Sequence, residues 1–273
     1  DFYPFPRDLV RAAASWREMG RRWQPFWNGL EVWNEPEIAF GASLPGDQVM
    51  ALQRTISRVF HDEKIDTPVI GGVFTGTVSN DRMMRLYLRN GLLADADIFS
   101  IHSYADAEQM QRVIADFRHA LRDNPKQGIP MWITECGKPW PVGTDRAGVN
   151  DDLFSAANIA MKAIEARANG VAMFYPFIFQ FYEENTNNFG MMDRNHTPMR
   201  SLAGYLNLVR TLAHHRYAGD LTPAVGGKLN RVFLKGDDAV IAVYTGDQRT
   251  PVRMPEKLEV RQVTGVDGRV LPK

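Results

Sequence analysis

A chain of 273 residues with 44% hydrophobic and 23% charged side chains is long enough to bury one large core, or a large and a small one. Its 32 basic residues balance 32 acidic ones without an extended basic stripe, which argues against nucleic acid as a partner. One cysteine, Cys136, excludes an internal disulfide framework, and no run reaches the about 20 apolar residues of a membrane span.

In chain order, Arg7 to Trp23 reads as an amphipathic helix, with Leu9, Val10, Ala13, Trp16 and Met19 near helical spacing. Leu30 to Trp33 reads as a strand that stops at Asn34-Glu35-Pro36, because proline cannot continue a ladder. A helix over Pro45 to Lys64 leads into the strand Val69 to Val73. The alternation then repeats: helix Asp81 to Asn90, strand Asp97 to Ser103, helix Ala107 to Arg122, strand Met131 to Thr134, helix Asp151 to Ala168, strand Val171 to Tyr175 and helix Ser201 to His214. Short apolar strands alternating with helices predict a parallel α/β architecture, either doubly wound or a (β/α) barrel.

Near Thr222 the texture changes. Arg231 to Lys235, Ala239 to Tyr244, Val252 to Met254 and Lys257 to Val263 read as strands, with a hairpin at Asp267-Gly268. The predicted division is therefore 1–218, an α/β catalytic part, and 219–273, a small β-sandwich-like domain.

Three strands end in polar residues that a buried strand does not need: Asn34-Glu35; Ser100, His102 and Tyr104 on one face by period two; and Thr134-Glu135. The carboxyl ends of parallel strands carry the active face, so two glutamates 100 positions apart are expected in one cleft. A carboxylate pair suits glycoside hydrolysis, one group protonating the leaving oxygen while the other attacks or activates water.

These motifs resemble a known group. "EVWNEP", "WITECG", "IHSY" and "NNFGMMDRNHTPMRSLAGYLNL" are similar to the clan A retaining glycoside hydrolases, most of all family 39, the β-xylosidase and α-L-iduronidase family, with family 5 next; the likeness covers residues 7 to about 216. It implies a (β/α)8 barrel of which this chain carries strands 4 to 8 only, plus the small β domain, with the N-terminal barrel half expected in the full protein. It implies Glu35 as general acid/base, Glu135 as nucleophile, Asn34 on the sugar 2-hydroxyl and Tyr104 hydrogen-bonded to Glu135. The sugar platform usual at the end of strand 8 is a tryptophan; here "MFYPFIF" offers Tyr175 and Phe177.

The expected activity is retaining cleavage of a β-type O-glycosidic bond in an oligo- or polysaccharide, without cofactor. The rival reading is a non-catalytic carbohydrate-binding barrel, which has no use for both Glu35 and Glu135. A metal-dependent hydrolase needs His/Asp clusters at strand ends, where His102 stands alone, so no metal site is expected.

His102 reads equally as a buried histidine beneath the site or as a substrate contact. Trp140, between Lys138 and Gly143, reads as a sugar-stacking ring or a barrel cap, with stacking preferred. Glu183 to Asn188 reads as a loop, and Cys136 as a packed thiol. An enzyme of polysaccharides implies a secreted or periplasmic location, although residues 1–273 show no signal peptide.

Overall fold

The computed structural model describes residues 5–38, 46–75, 81–221, 228–245, 252–254 and 259–272. The chain is α/β and divides into two compact units, residues 1–103 with 113–134, and residues 104–112 with 135–273.

In the first unit, α1 (Leu9–Trp23) starts at Asp8, whose carboxylate accepts from the Arg11 N–H at 2.9 Å. Its apolar stripe of Leu9, Ala13 and Trp16 packs with α2 (Gly46–Glu63) around Ile56, Phe60 and Ile65. A β-carbon on Gly20 would stand 2.5 Å from Ile65 Cδ1, so glycine sets how closely α1 approaches. β1 (Leu30–Glu31), β2 (Val69–Thr75), β3 (Ile98–His102) and β4 (Met131–Cys136, of which Met131–Thr134 lie in this unit) are neighbours in that order, β1/β2 and β2/β3 being parallel. α3 (Asp81–Arg89) and most of α4 (Met110–Leu121) complete the unit. β3 is buried at every position, as the apolar run predicts.

β2 carries a bulge: Gly72 and Val73 have positive φ (95° and 55°), and the register with β3 shifts between Gly72 and Phe74. Past the bulge, Thr75 pairs with His102.

The second unit is built around α5 (Val149–Ala168), which is buried from Asp152 to Ala166 on nearly every side and packs on α6 (Arg200–Leu212) through Ile159, Met191 and Leu202. β6 (Met173–Pro176) runs up to Phe177, whose N–H donates to the Cys136 carbonyl at 2.8 Å. A small sheet of β5 (Trp140–Pro141), β7 (Glu183–Glu184) and β8 (Asn187–Asn188) was not expected; the stretch read as a loop is a hairpin turning at Asn185, with φ 54°.

β9 (Arg216–Asp220), β10 (Leu229–Lys235) and β11 (Asp238–Tyr244) form an antiparallel sheet on the same core, where Phe233 meets Met161 and Ile164. Arg231 enters that core. Its guanidinium donates to both Glu165 oxygens at 2.7 and 2.6 Å, to Asp220 at 2.7 Å and to Gln111 at 3.0 Å. β12 (Val263–Thr264) and β13 (Val270–Leu271) are the hairpin expected at Asp267-Gly268, Gly268 taking φ 84°. The strand expected over Val252 to Met254 does not form, and of Lys257 to Val263 the first two residues lie outside the described residues.

Candidate active site

Each unit places one of the two glutamates, and each holds it by a different neighbour. In the first, β1 ends at Glu31, with the Val32 N–H still reaching the Ile70 carbonyl at 3.4 Å, and Pro36 bars any return to the ladder. The chain turns at once, Ile38 N–H closing on the Glu35 carbonyl at 3.1 Å. Glu35 takes φ 42°, the left-handed region that costs a residue with a β-carbon about 1–2 kcal/mol. Its side chain is nine-tenths buried, and Oε1 lies 2.9 Å from His102 Nδ1.

His102, the last residue of β3, is 2% exposed. It sits against Glu35. Asn34, one residue before Glu35, is exposed. Beneath them Ser100 donates to Glu31 Oε1 at 3.1 Å and shares a hydrogen bond with Thr134 Oγ1, so the polar period of β3 is spent on a row across the unit.

Glu35 is followed two residues later by a second acid. Glu37 is 5% exposed; its Oε1 accepts from the Thr75 backbone N–H and, at 2.9 Å, from the Thr75 hydroxyl, while Oε2 is buried without a hydrogen-bond partner. Burial, partly offset by the Thr75 bonds, holds its carboxyl above the ordinary value, and the Glu35 charge adds to the rise. The hydroxyl of Tyr87, fully buried and pushed up to about 12 by that burial, donates to the Pro36 carbonyl at 3.3 Å.

In the second unit, Tyr104 donates its hydroxyl to Glu135 Oε1 at 2.5 Å, a charge-assisted geometry. The Tyr104 ring, 38% exposed, stands edge-on to Phe189 at 5.4 Å, and Phe189 packs on Phe177 at 5.6 Å. Behind them lies Lys162, 0% exposed, whose ammonium donates to the Gly137 carbonyl at 2.7 Å and the Tyr104 carbonyl at 3.5 Å. Burial lowers its proton affinity. Gly137 has no room for a side chain: a β-carbon would meet the Phe177 carbonyl at 2.6 Å. Cys136 is buried and its thiol is pushed up to about 12, the state of an inert packed thiol.

Trp140 corrects an expectation. It is 2% exposed, donates its indole N–H to the Gly190 carbonyl at 3.1 Å and packs against Phe181, Ala147 and Met199, so it cannot stack on a sugar. Tyr175, on β6, is 39% exposed. A cleft of about 520 Å³ at the start of α5 and α6 is lined by Arg146, Arg200 and Arg269, but each of these is already paired, with Asp193, Asp152 and Asp267.

Sequence reasoning missed Glu37, Thr75 and Lys162. Lys162 had a signal, being a cation set between Met161 and Ala163-Ile164 in the middle of α5, away from the helix ends. Glu37 had none beyond its place beside Glu35.

A family model described as the glycosyl hydrolase catalytic core matches residues 12–205. No curated protein matches. Among solved structures, a family 39 glycoside hydrolase from Bacteroides cellulosilyticus aligns with TM-score 0.69 and 18% identity, over 99% of this chain and 59% of its own. A β-xylosidase of family 39 from Caulobacter crescentus gives 0.62 and 19%, over 86% and 53%. A glucosidase from Croceicoccus marinus gives 0.64 and 13%, over 90% and 60%. At these identities the likeness is one of fold, and the chain spans little more than half the length of each.

Proposed function

Given that the chain belongs to the glycosyl hydrolase catalytic core family, we propose that it is a glycoside hydrolase that cleaves a β-type O-glycosidic bond of an oligo- or polysaccharide with retention, using Glu135 as nucleophile and Glu35 as acid/base. In this reading β1, β2, β3, β4 and β6 take the places of strands 4 to 8 of an eight-strand barrel, and β9 to β13 form the small β domain.

The Glu135 carboxylate attacks the anomeric carbon as Glu35 gives its proton to the departing oxygen, leaving a glycosyl ester on Glu135. Glu35, now a carboxylate, takes a proton from water; the hydroxyl attacks the same carbon, and the Glu135 carboxylate leaves. Asn34 meets the sugar 2-hydroxyl and Tyr175 one of its faces. The observation that carries the assignment is the 2.5 Å bond from Tyr104 to Glu135, which favours the ionised carboxylate a nucleophile needs and keeps one oxygen in place.

Azide rescue tests the roles. Glu135→Gly opens a hole in which azide displaces the leaving group once, giving a glycosyl azide of inverted configuration. Glu35→Ala, given a dinitrophenyl glycoside that leaves without a proton, still forms the ester on Glu135, and azide then yields the retained anomer. Exchanged anomers reverse the assignment; neither azide product from two folded variants leaves the carbohydrate-binding reading standing.

A further inference from the structure

Glu37 has no task in the double displacement, yet it is buried, and among the described residues no opposite charge offsets that cost. It is 5% exposed, and among the described residues no cation is paired with it: the polar groups facing its carboxyl are its own backbone N–H and the Thr75 N–H and hydroxyl, with Glu35 and the Tyr87 phenol close enough to feel its charge. An uncompensated carboxylate is disfavoured there, so the group is suited to hydrogen bonding in its neutral form.

Its bonds to other residues go to one place. Thr75 is the register partner of His102, and His102 holds Glu35, so the two acids of the turn are gripped by two residues paired across β2 and β3. That pairing depends on the bulge. Were Val73 paired in the ladder instead of bulged, it would stand opposite Ile101 and Phe74 opposite His102, and the Thr75 side chain would fall on the other face of the sheet. The turn itself adds a third tether, from Tyr87 to the Pro36 carbonyl.

We propose that Glu37 is a positioning residue for the acid/base: its contact with Thr75 forms a strut which, together with the His102–Glu35 contact, fixes the left-handed turn so that the Glu35 carboxyl presents its proton in one direction. The proposal rests on the reading of Glu35 as acid/base. Glu37 acts by shape and hydrogen bonding, not by charge, and does not touch substrate.

The test compares phenyl and 2,4-dinitrophenyl β-D-xylosides, or the glucosides if that sugar is the one cleaved, since only the phenyl leaving group needs a proton. Glu35→Ala is the control: kcat/KM must collapse for the phenyl substrate and persist for the dinitrophenyl one, and failure of that split sinks the acid/base reading without reference to Glu37. Given the split, Glu37→Leu lowers kcat/KM for the phenyl substrate about 100-fold, the scale of a displacement near 1 Å, through kcat more than KM, and changes the dinitrophenyl rate only a few-fold. Glu37→Gln, which keeps an acceptor for Thr75, restores most of the loss. Should Glu37→Leu fail to fold, Thr75→Val removes the hydroxyl from the other end of the strut and shows the same split in smaller measure. Equal losses on both leaving groups, or a Glu37→Gln as damaged as Glu37→Leu, overturns the proposal.

Discussion

Replacing Arg231 by methionine isolates the largest electrostatic commitment in the second unit. The guanidinium is 7% exposed and grips Glu165, whose side chain is 0% exposed, through two bonds of 2.7 and 2.6 Å. Its second acidic partner, Asp220, is 37% exposed and falls back on water when the arginine goes; Glu165 cannot. The cost therefore comes from one stranded carboxylate, and breaking a buried pair from one side costs about 3–5 kcal/mol. In a protein of this size that lowers the melting temperature by roughly 10 °C in differential scanning calorimetry. The companion Arg231→Met/Glu165→Leu removes both charges and should recover most of the loss, because a buried pair exchanged for apolar side chains of similar volume is about neutral. A single variant that loses less than about 1 kcal/mol, or a double variant as unstable as the single, would refute the reasoning.

Tyr104→Phe removes a hydrogen bond to a carboxylate, which is worth about 1.5–3 kcal/mol, so turnover should fall about 10- to 100-fold with the circular dichroism unchanged; wild-type rates would take Tyr104 out of the site. Gly137→Ala drives a methyl into the Phe177 carbonyl and should cost about 1–3 kcal/mol in urea unfolding, with activity reduced as well because Glu135 lies two residues away. For Glu37 the native carboxyl is held above its ordinary 4.5, so its stabilising contribution is complete below 4.5 and is lost as pH rises through the native value. Urea titrations from pH 4 upward should accordingly show Glu37→Gln gaining on the wild type as pH rises, with Glu35, Tyr87 and His102 as the titratable neighbours in both proteins; a constant difference removes the shift.

The helices and parallel strands were legible because their signals are local: helical apolar spacing for α1, α2 and α5, and solid apolar runs for β2, β3 and the start of β4. Glu35 and Glu135 were legible as polar residues placed where such runs stop. What escaped depends on partners far along the chain. The bulge in β2 hides behind Gly71-Gly72, which reads as plain strand until Val73 is seen at positive φ. Trp140 looked available in a polar loop, but the carbonyl that takes its N–H lies 50 residues on, at Gly190. The hairpin of β7 and β8 was obscured by its composition, since Glu183-Glu184 and Asn187-Asn188 are poor strand formers and pair only because β5 lies beside them. Val252 to Met254 has strand propensity but is left without a ladder, so propensity alone did not suffice.

In the proposed reading of Glu35 as acid/base, the left-handed backbone there brings folding and catalysis together at one position. A glycine there would relieve about 1–2 kcal/mol of backbone strain, but it would also strand the buried His102, at a cost of about 1–3 kcal/mol, and in the proposed reading delete the proton donor. The two effects are of similar size, so selection for heat resistance alone has little hold on residue 35, and a thermostable library built on this scaffold should keep it fixed.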